Sequence, residues 1–330
     1  MVIDTDSGKV LLDQSLNFGQ TLPEFGSPSG FLEHADPQLK HANPLMWVAA
    51  LDRLLGTLKT AGTDFSRIEG ISGAGQQHGS VYLRKRISDA PAWDPASDLL
   101  GQVQPLLSRE TSPIWMDSST HEECREIAEA VGGDDKVVKL TGSRAIERFT
   151  GPQIRAFYKR DPRAYGQTSE IHLVSSFIAS LLIGQSAGID PGDGAGMNLL
   201  ELASGAFDPT LLAATAPGLD EKLPSAVGSR TQVGEIAPYF VSRYGFKAGT
   251  PVIAFTGDNP SSLVGMGATE PGTAVVSLGT SDTVFAAMRH PHNDPRGFGH
   301  VFGNPAGGFM CLICFANGSL ATFEATRYAR

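Results

Sequence analysis

The sequence predicts an α/β protein with two domains. Its 330 residues exceed what a single hydrophobic core usually contains. Two apolar strands, at residues 252–255 and 274–278, each run into a loop that carries glycines, hydroxyls and carboxylates. In open α/β sheets, ligands bind at the carboxyl ends of strands. We therefore expect a site at these two strand ends, with Asp258 as a catalytic base and the loop at Gly279 holding phosphate.

Composition and charge argue against several classes of function. The net charge is −9 without a basic cluster, which disfavours nucleic acid, because a duplex-binding surface needs several cations to displace counterions. No apolar run approaches the roughly 18 residues that span a bilayer. Three cysteines form no disulfide framework, and the first residues lack the features of a secretory signal or transit peptide. A cytosolic protein is the expectation.

The first third of the chain alternates strand and helix signals. A hairpin is predicted over residues 1–17, followed by irregular chain to residue 42. Asn43 and Pro44 are typical of a helix start, and the apolar periodicity that follows ends at Gly62. A short strand at 68–71 then opens into a glycine-rich segment.

That glycine-rich segment, residues 72–80, contains Gln77 and His78 before strand character resumes at Val81. Glycines let a ligand approach the backbone, and amide and imidazole groups suit hydroxyls. A lone histidine is usually structural, but this one stands at a strand end among amides, so both roles stay open. The segment does not match a phosphate-binding loop motif.

The middle of the chain predicts mainly helices. Residues 113–116 indicate a short strand that leads into an amphipathic helix capped by Ser119 or Thr120. Residues 142–151 hold two arginines and a glutamate, for which an internal ion pair is the simplest interpretation, and residues 170–184 predict a core-facing helix.

Two aspartates among glycines, within residues 188–198, do not fit a calcium loop and are interpreted as turn residues. Helices are predicted around residues 208–214 and up to Tyr244, where Gly245 is the natural stop.

Five segments together resemble the FGGY carbohydrate kinase family, over essentially the whole chain. They are residues 72–80 (Ser-Gly-Ala-Gly-Gln-Gln-His-Gly-Ser), 115–120 (Trp-Met-Asp-Ser-Ser-Thr), 141–151 (Thr-Gly-Ser-Arg-Ala-Ile-Glu-Arg-Phe-Thr-Gly), 255–260 (Phe-Thr-Gly-Asp-Asn-Pro) and 276–283 (Val-Ser-Leu-Gly-Thr-Ser-Asp-Thr). The resemblance implies the actin-like ATPase (ribonuclease H-like) fold, with two domains around a central cleft. Residues 1–257 would be the sugar-binding domain without its first strand and phosphate loop, and residues 258–330 the incomplete start of the nucleotide-binding domain.

The same resemblance implies ATP-dependent phosphorylation of D-xylulose to D-xylulose 5-phosphate. The implied sugar-binding residues are His78, Arg148, Asp258 and Asn259. Asp258 would take the proton from the sugar hydroxyl, since a carboxylate with a reference pKa of about 3.9 is ionised at neutral pH.

Nucleotide binding is likewise implied by the resemblance. Gly279, Thr280 and Ser281 would offer backbone amides to the ATP phosphates. Mg²⁺ is also implied, without protein ligands that the sequence identifies.

Three other interpretations compete with this one. Because family segments are missing at both ends, we expect little activity from the 330 residues alone, and they could bind a sugar or a subunit without catalysis. Another kinase of the family, acting on a different polyol or ketose, is the second alternative. A serine hydrolase has little support, because the chain lacks the GxSxG motif.

Overall fold

A computed structural model describes residues 1–278, 282–294 and 296–315. The helices are α1 Phe18–Thr21, α2 Pro44–Thr60, α3 Leu99–Val103, α4 His121–Val131, α5 Asp134–Thr141, α6 Thr150–Arg160, α7 Pro162–Gly166, α8 Val174–Ile183, α9 Pro191–Gly194, α10 Pro209–Thr215, α11 Pro238–Tyr244 and α12 Asp258–Gly265. The strands are β1 Val2–Ile3, β2 Val10–Leu12, β3 His41–Ala42, β4 Ala74–Gly75, β5 Ser80–Leu83, β6 Ser112–Pro113, β7 Glu170–Leu173, β8 Leu200–Glu201, β9 Ala206–Phe207, β10 Gln232–Glu235, β11 Pro251–Ile253, β12 Thr256–Gly257, β13 Ala274–Ser277, β14 Asp282–Met288, β15 His300–Gly303 and β16 Phe309–Phe315.

Local sequence signals fix several of these elements as expected. Strands β1 and β2 form the antiparallel hairpin at the N-terminus. The Asn43 side chain accepts a hydrogen bond from the amide of Leu45 and caps α2, whose first residue is Pro44. Helix α11 ends at Gly245, which adopts the left-handed conformation that glycine reaches without strain.

A parallel pairing between two distant segments positions the candidate site. Val252 bridges Ile71 in parallel, and one step further β12 pairs with β4, with Thr256 opposite Ala74 and Gly257 opposite Gly75. Parallel strands place their carboxyl ends at the same edge. The loop after β4 and the start of α12 after β12 are therefore neighbours.

The buried apolar side chains form three clusters. One joins α2, α8 and α11, and a second joins α4, α6, β7 and α10. The third lies under the antiparallel sheet β13-β14-β16-β15 and contains Phe149, Leu263, Phe285 and Phe302. Leu263 ties α12 to this sheet. Within the described ranges, each helix is too short or too polar to cross a bilayer.

The helix predicted over residues 170–184 is only partly correct. Residues Glu170–Leu173 form β7, which pairs with β5, and only Val174–Ile183 is helical. All four residues of β7 are buried. A strand buried on both faces shows no alternation, so its apolar pattern cannot be told from that of a buried helix. The strand predicted at 68–71 is also reduced, to the single bridge at Ile71.

Candidate active site

Asp258 is the first residue of α12 and follows Gly257, which is extended. Its Oδ1 accepts hydrogen bonds from the Asn259 amide at 2.9 Å, from Asn259 Nδ2 at 3.2 Å and from the Gln77 amide at 3.3 Å. These donors favour the ionised carboxylate, but burial among protein atoms is the larger effect and raises the pKa of Asp258. The residue nevertheless keeps an exposed side. Asp258 can therefore both accept a proton and contact a ligand.

Gln77 connects Asp258 and Asn259 to the rest of the protein. Its Oε1 accepts from Asn259 Nδ2 at 2.8 Å, and its Nε2 donates to the Gly192 carbonyl at 3.1 Å. The Gln77 side chain is buried, and a Cβ on Gly257 would stand 2.4 Å from its Cγ. Only glycine at 257 leaves room for this amide.

His78 is held rigidly beside Gln77. It is one of two non-glycine residues with positive φ (73°) among the described residues, a conformation that costs energy and is common at binding sites. Its Nδ1 donates to the Gly196 carbonyl at 3.0 Å, and its ring centre lies 4.3 Å from that of Phe149. Burial, and then the positive charge of Arg148, lower the pKa of His78 well below its usual value. A neutral ring with its proton on Nδ1 has an Nε2 that accepts hydrogen bonds.

Arg148 is half-buried and faces His300, with 3.3 Å between Arg148 Nη2 and His300 Nε2. Arginine only donates, so His300 Nε2 is the acceptor and the ring proton lies on Nδ1, 3.2 Å from Ser143 Oγ. Burial, together with the charge of Arg148, lowers the pKa of His300 to about 4. The internal ion pair expected for residues 142–151 does not form, because the Glu147 carboxylate contacts His121.

The predicted sugar-binding residues fall into two groups. Asp258 and Asn259 hydrogen-bond each other and Gln77, whereas His78 and Arg148 lie with His300. The adjacent residues 77 and 78 join the two groups through the backbone. The predicted phosphate-binding residues Gly279, Thr280 and Ser281 lie outside the described residues.

Asp190 and Asp193 were predicted only as turn residues, and the structure shows more than that. Asp190 does cap a turn, since its Oδ1 accepts from the Asp193 amide at 3.0 Å. Asp193, however, is fully buried and accepts from Ser175 Oγ, while its Oδ1 has no hydrogen-bond partner. Burial raises the pKa of Asp193 well above its usual value, and the negative charges of Asp190 and Asp258 raise it further. The turn at residues 190–194 therefore lies close enough to Asp258, the candidate base, for the two carboxylates to repel each other.

His300 was also missed by sequence reasoning. It opens β15 at a buried position and follows Gly299, whose φ is 77°. A polar residue just after a glycine at a strand start was the available signal, and it is a weak one. Contact with Arg148 depends on tertiary pairing over 152 residues of sequence, which no local pattern reports.

Two open grooves elsewhere on the surface contain none of these residues. The larger lies between α2 and α11. Its polar groups bind each other, because the hydroxyls of Tyr239 and Tyr244 both bond Asp52, and Arg243 lies 3.6 Å from the same carboxylate. We attribute this groove to helix packing. Among the described residues, no cluster of three or more His, Cys, Asp or Glu side chains could hold a metal ion.

Comparison with known proteins adds family information to this geometry. Residues 107–265 match the model of the FGGY family of carbohydrate kinases, N-terminal domain. The chain is 48% identical over 314 residues to xylulose kinase of Rattus norvegicus, which covers 94% of this chain and 58% of that protein. It is 41% identical over 319 residues to xylulose kinase 2 of Arabidopsis thaliana, with 96% of this chain and 57% of that protein covered. The chain thus spans somewhat more than half the length of these relatives.

Solved structures confirm the fold. The crystal structure of a xylulose kinase from Brucella ovis superposes with a TM-score of 0.77 at 22% identity, covering 90% of this chain and 57% of that one. The structure of xylulose kinase from Rhodospirillum rubrum gives a TM-score of 0.75 at 21% identity, with 88% and 55% covered. The predicted actin-like ATPase fold is thereby confirmed for the part of it that this chain represents. From the matched motifs and these relatives, the chain belongs to the FGGY family of carbohydrate kinases.

Proposed function

We propose that the protein serves the ATP-dependent phosphorylation of D-xylulose to D-xylulose 5-phosphate. One observation carries the proposal: the Asp258 carboxylate, partly exposed at the start of α12, is fixed by Asn259 and Gln77 directly beside His78. The relatives named xylulose kinase supply the substrate class.

Asp258 is the proposed general base. A sugar hydroxyl is a poor nucleophile until a base removes its proton during phosphoryl transfer. The raised pKa of Asp258 makes its carboxylate a better proton acceptor than an exposed aspartate. Asn259 is the neighbouring donor, and its amide is already oriented by Gln77 Oε1 at 2.8 Å.

His78 and Arg148 are the proposed partners for the remaining hydroxyls. The neutral His78 ring offers Nε2 as an acceptor, because Nδ1 is committed to the Gly196 carbonyl. Arg148 offers guanidinium donors, and its contact with His300 fixes the plane of the group. A sugar hydroxyl can both donate and accept, so this pair of groups can bind two of them.

ATP binding is proposed from the family resemblance for Gly279, Thr280 and Ser281, whose backbone amides would meet phosphate oxygens. Mg²⁺ would neutralise phosphate charge when bound. Among the described residues, no cluster of His, Cys, Asp or Glu side chains would hold the ion.

We also retain the proposed domain boundary, with residues 1–257 on the sugar side and residues 258–330 on the nucleotide side. In support of it, Leu263 of α12 lies in the same buried cluster as Phe285 and Met310 of the four-stranded sheet. A cytoplasmic location is part of the proposal, supported by Cys124, Cys311 and Cys314, which are all free thiols.

Thermal stabilisation by a panel of sugars tests the substrate. D-xylulose should raise the melting temperature of the 330-residue protein more than ribulose, glycerol or gluconate does, since a ligand stabilises the state that binds it. Stronger stabilisation by another polyol or ketose would transfer the assignment to that sugar.

A coupled assay of ADP release then separates the kinase from a sugar-binding protein without catalysis. The assay compares the 330 residues with a version extended to the length of the relatives. D-xylulose-dependent ADP release by the extended protein supports the kinase, whereas stabilisation by the sugar without ADP release in either protein supports the binding protein.

A further inference from the structure

Gln77 has the contacts of a residue that positions its neighbours. It is buried, and all three of its polar groups that face the site are engaged. The backbone amide donates to Asp258 Oδ1, Oε1 accepts from Asn259 Nδ2, and Nε2 donates to the Gly192 carbonyl. A buried amide whose donor and acceptor are both used has one stable orientation.

The anchor of this network is the turn at residues 190–194. Asp190 Oδ1 accepts from the Asp193 amide, and Asp190 Oδ2 accepts from Ser229 Oγ at 2.7 Å. The turn is closely packed, because a Cβ on Gly192 would stand 2.2 Å from Thr256 Oγ1. The Gly192 carbonyl that receives Gln77 Nε2 is therefore held in place from both sides.

The orientation of the Gln77 side-chain amide determines the orientation of the Asn259 side-chain amide. Nε2 must point to the Gly192 carbonyl, because a carbonyl only accepts, so Oε1 points to Asn259. Asn259 consequently donates through Nδ2, and its Oδ1 is left to face away from Gln77. The same Nδ2 group lies 3.2 Å from Asp258 Oδ1.

We propose that Gln77 is a positioning residue that selects the orientation of the Asn259 amide and holds the Asp258 carboxylate through it. This inference rests on the proposed function for its effect on sugar binding. Its structural part, the coupling of Gln77 to Asn259, is independent of what the site binds.

The primary test is the side-chain amide resonance of Asn259 in the ¹⁵N-labelled 330-residue protein, assigned by its absence in Asn259→Asp. Gln77→Met keeps the length of the side chain and removes both polar groups. We expect the Asn259 amide protons to shift and to exchange faster with solvent in this variant, because the shorter of their two hydrogen bonds, to Gln77 Oε1, is lost. An Asn259 resonance identical to that of the unmodified protein overturns the proposal.

Gln153→Met is the matched control. Gln153 is as buried as Gln77, at 2% exposure, but its Nε2 bonds Asp117 and the Glu147 carbonyl. Both variants lose a buried amide, so both lose stability. Only Gln77→Met should move the Asn259 resonance, and equal movement in both would mean a general loosening and overturn the proposal.

Sugar binding is the second readout. We expect Gln77→Met to weaken D-xylulose binding about tenfold, and Gln77→Glu, which keeps an acceptor for Asn259, to recover part of that loss. If the unmodified protein does not bind D-xylulose, the proposed function fails, while the resonance experiment still decides the role of Gln77. If binding is normal in Gln77→Met, the positioning role is wrong.

Discussion

Two buried histidines, His300 and His172, have neighbouring side chains of opposite charge. His300 faces the guanidinium of Arg148 at 3.3 Å, while His172 faces the carboxylate of Glu170 at 3.0 Å. Next to Arg148 the imidazole must be a neutral acceptor. Next to Glu170 it stabilises a carboxylate, and it lowers the pKa of Glu170 against the opposing effect of burial.

The His172–Glu170 pair and the His300–Arg148 pair also differ in how far they are exposed to solvent. Glu170 and His172 are both fully enclosed, at 1% and 0% exposure, and Glu170 also accepts from the amide of Ile87. Arg148 keeps an open side towards solvent. The difference teaches that a carboxylate enclosed by protein, as Glu170 is, belongs to the structure. Arg148, which is half-buried and has no carboxylate partner among the described residues, is instead available to a ligand.

The largest effect is expected for Asp258→Asn, which removes the proposed base and keeps the shape of the side chain. In a version of the protein extended to the length of its relatives, turnover of D-xylulose should fall by about 10²–10⁴-fold, the usual contribution of a general base. The melting temperature should change little. Asp134→Asn is the matched control, since Asp134 also opens an eight-residue helix after a glycine. Near-normal ADP release by Asp258→Asn would reassign Asp258 to binding.

Glu170→Gln should cost about 1–3 kcal/mol of unfolding free energy, because it removes the buried carboxylate that faces His172 Nε2 at 3.0 Å and accepts from the Ile87 amide. Urea unfolding measures this loss. Glu126→Gln, at a partly exposed pair with Arg155, should cost about 1 kcal/mol or less. Equal losses in the two variants would contradict the structural role of the Glu170–His172 pair. Sugar binding by the folded fraction should be normal in both.

His300→Leu should weaken D-xylulose binding about tenfold, because Arg148 loses the acceptor that fixes its plane. His300→Gln retains an acceptor and should lose less. Calorimetric titration of both variants measures the difference. If leucine and glutamine give the same affinity, the orientation of Arg148 does not depend on His300.

A smaller effect is expected from pH. The unfolded chain protonates His300 at about its reference pKa of 6.5, whereas the folded protein does so only at about 4. Protonation therefore favours the unfolded state, so stability is full above pH 6.5 and falls as the pH drops towards 4. Between pH 6.5 and 5.5 this histidine should account for about 1 kcal/mol. The slope of stability against pH should be shallower in His300→Gln, and an unchanged slope would argue against a neutral buried His300.

The sequence predicted those parts of the fold that carry local signals. The cap at Asn43, the stop at Gly245 and the hairpin at the N-terminus depend on residues within a few positions of each other. Strand β7 was missed, because a strand buried on both faces has the same composition as a buried helix.

For the candidate site, the strand ends predicted that Asp258 would lie near the loop at Gly279, which is outside the described residues. The proximity of Asp258 to the segment around His78 depends on the parallel pairing of β4 with β12, for which the sequence carries no local signal. The roles assigned to His78, Arg148, Asp258 and Asn259 came from family resemblance and stay predictions. The roles of Gln77, Asp193 and His300 follow from contacts across more than 100 residues, or from complete burial, neither of which has a local signature.

That long separation has a consequence for how the protein is made. The hydrogen bonds between Gln77 and residues 258 and 259 span 181 and 182 positions of sequence. Contacts this distant form late in folding, because the intervening chain must be ordered first. On the ribosome, the contacts of the candidate site cannot form until Asn259 has left the exit tunnel. Ligand binding would therefore report completed assembly, and a sugar present during synthesis could act as a pharmacological chaperone for the last step.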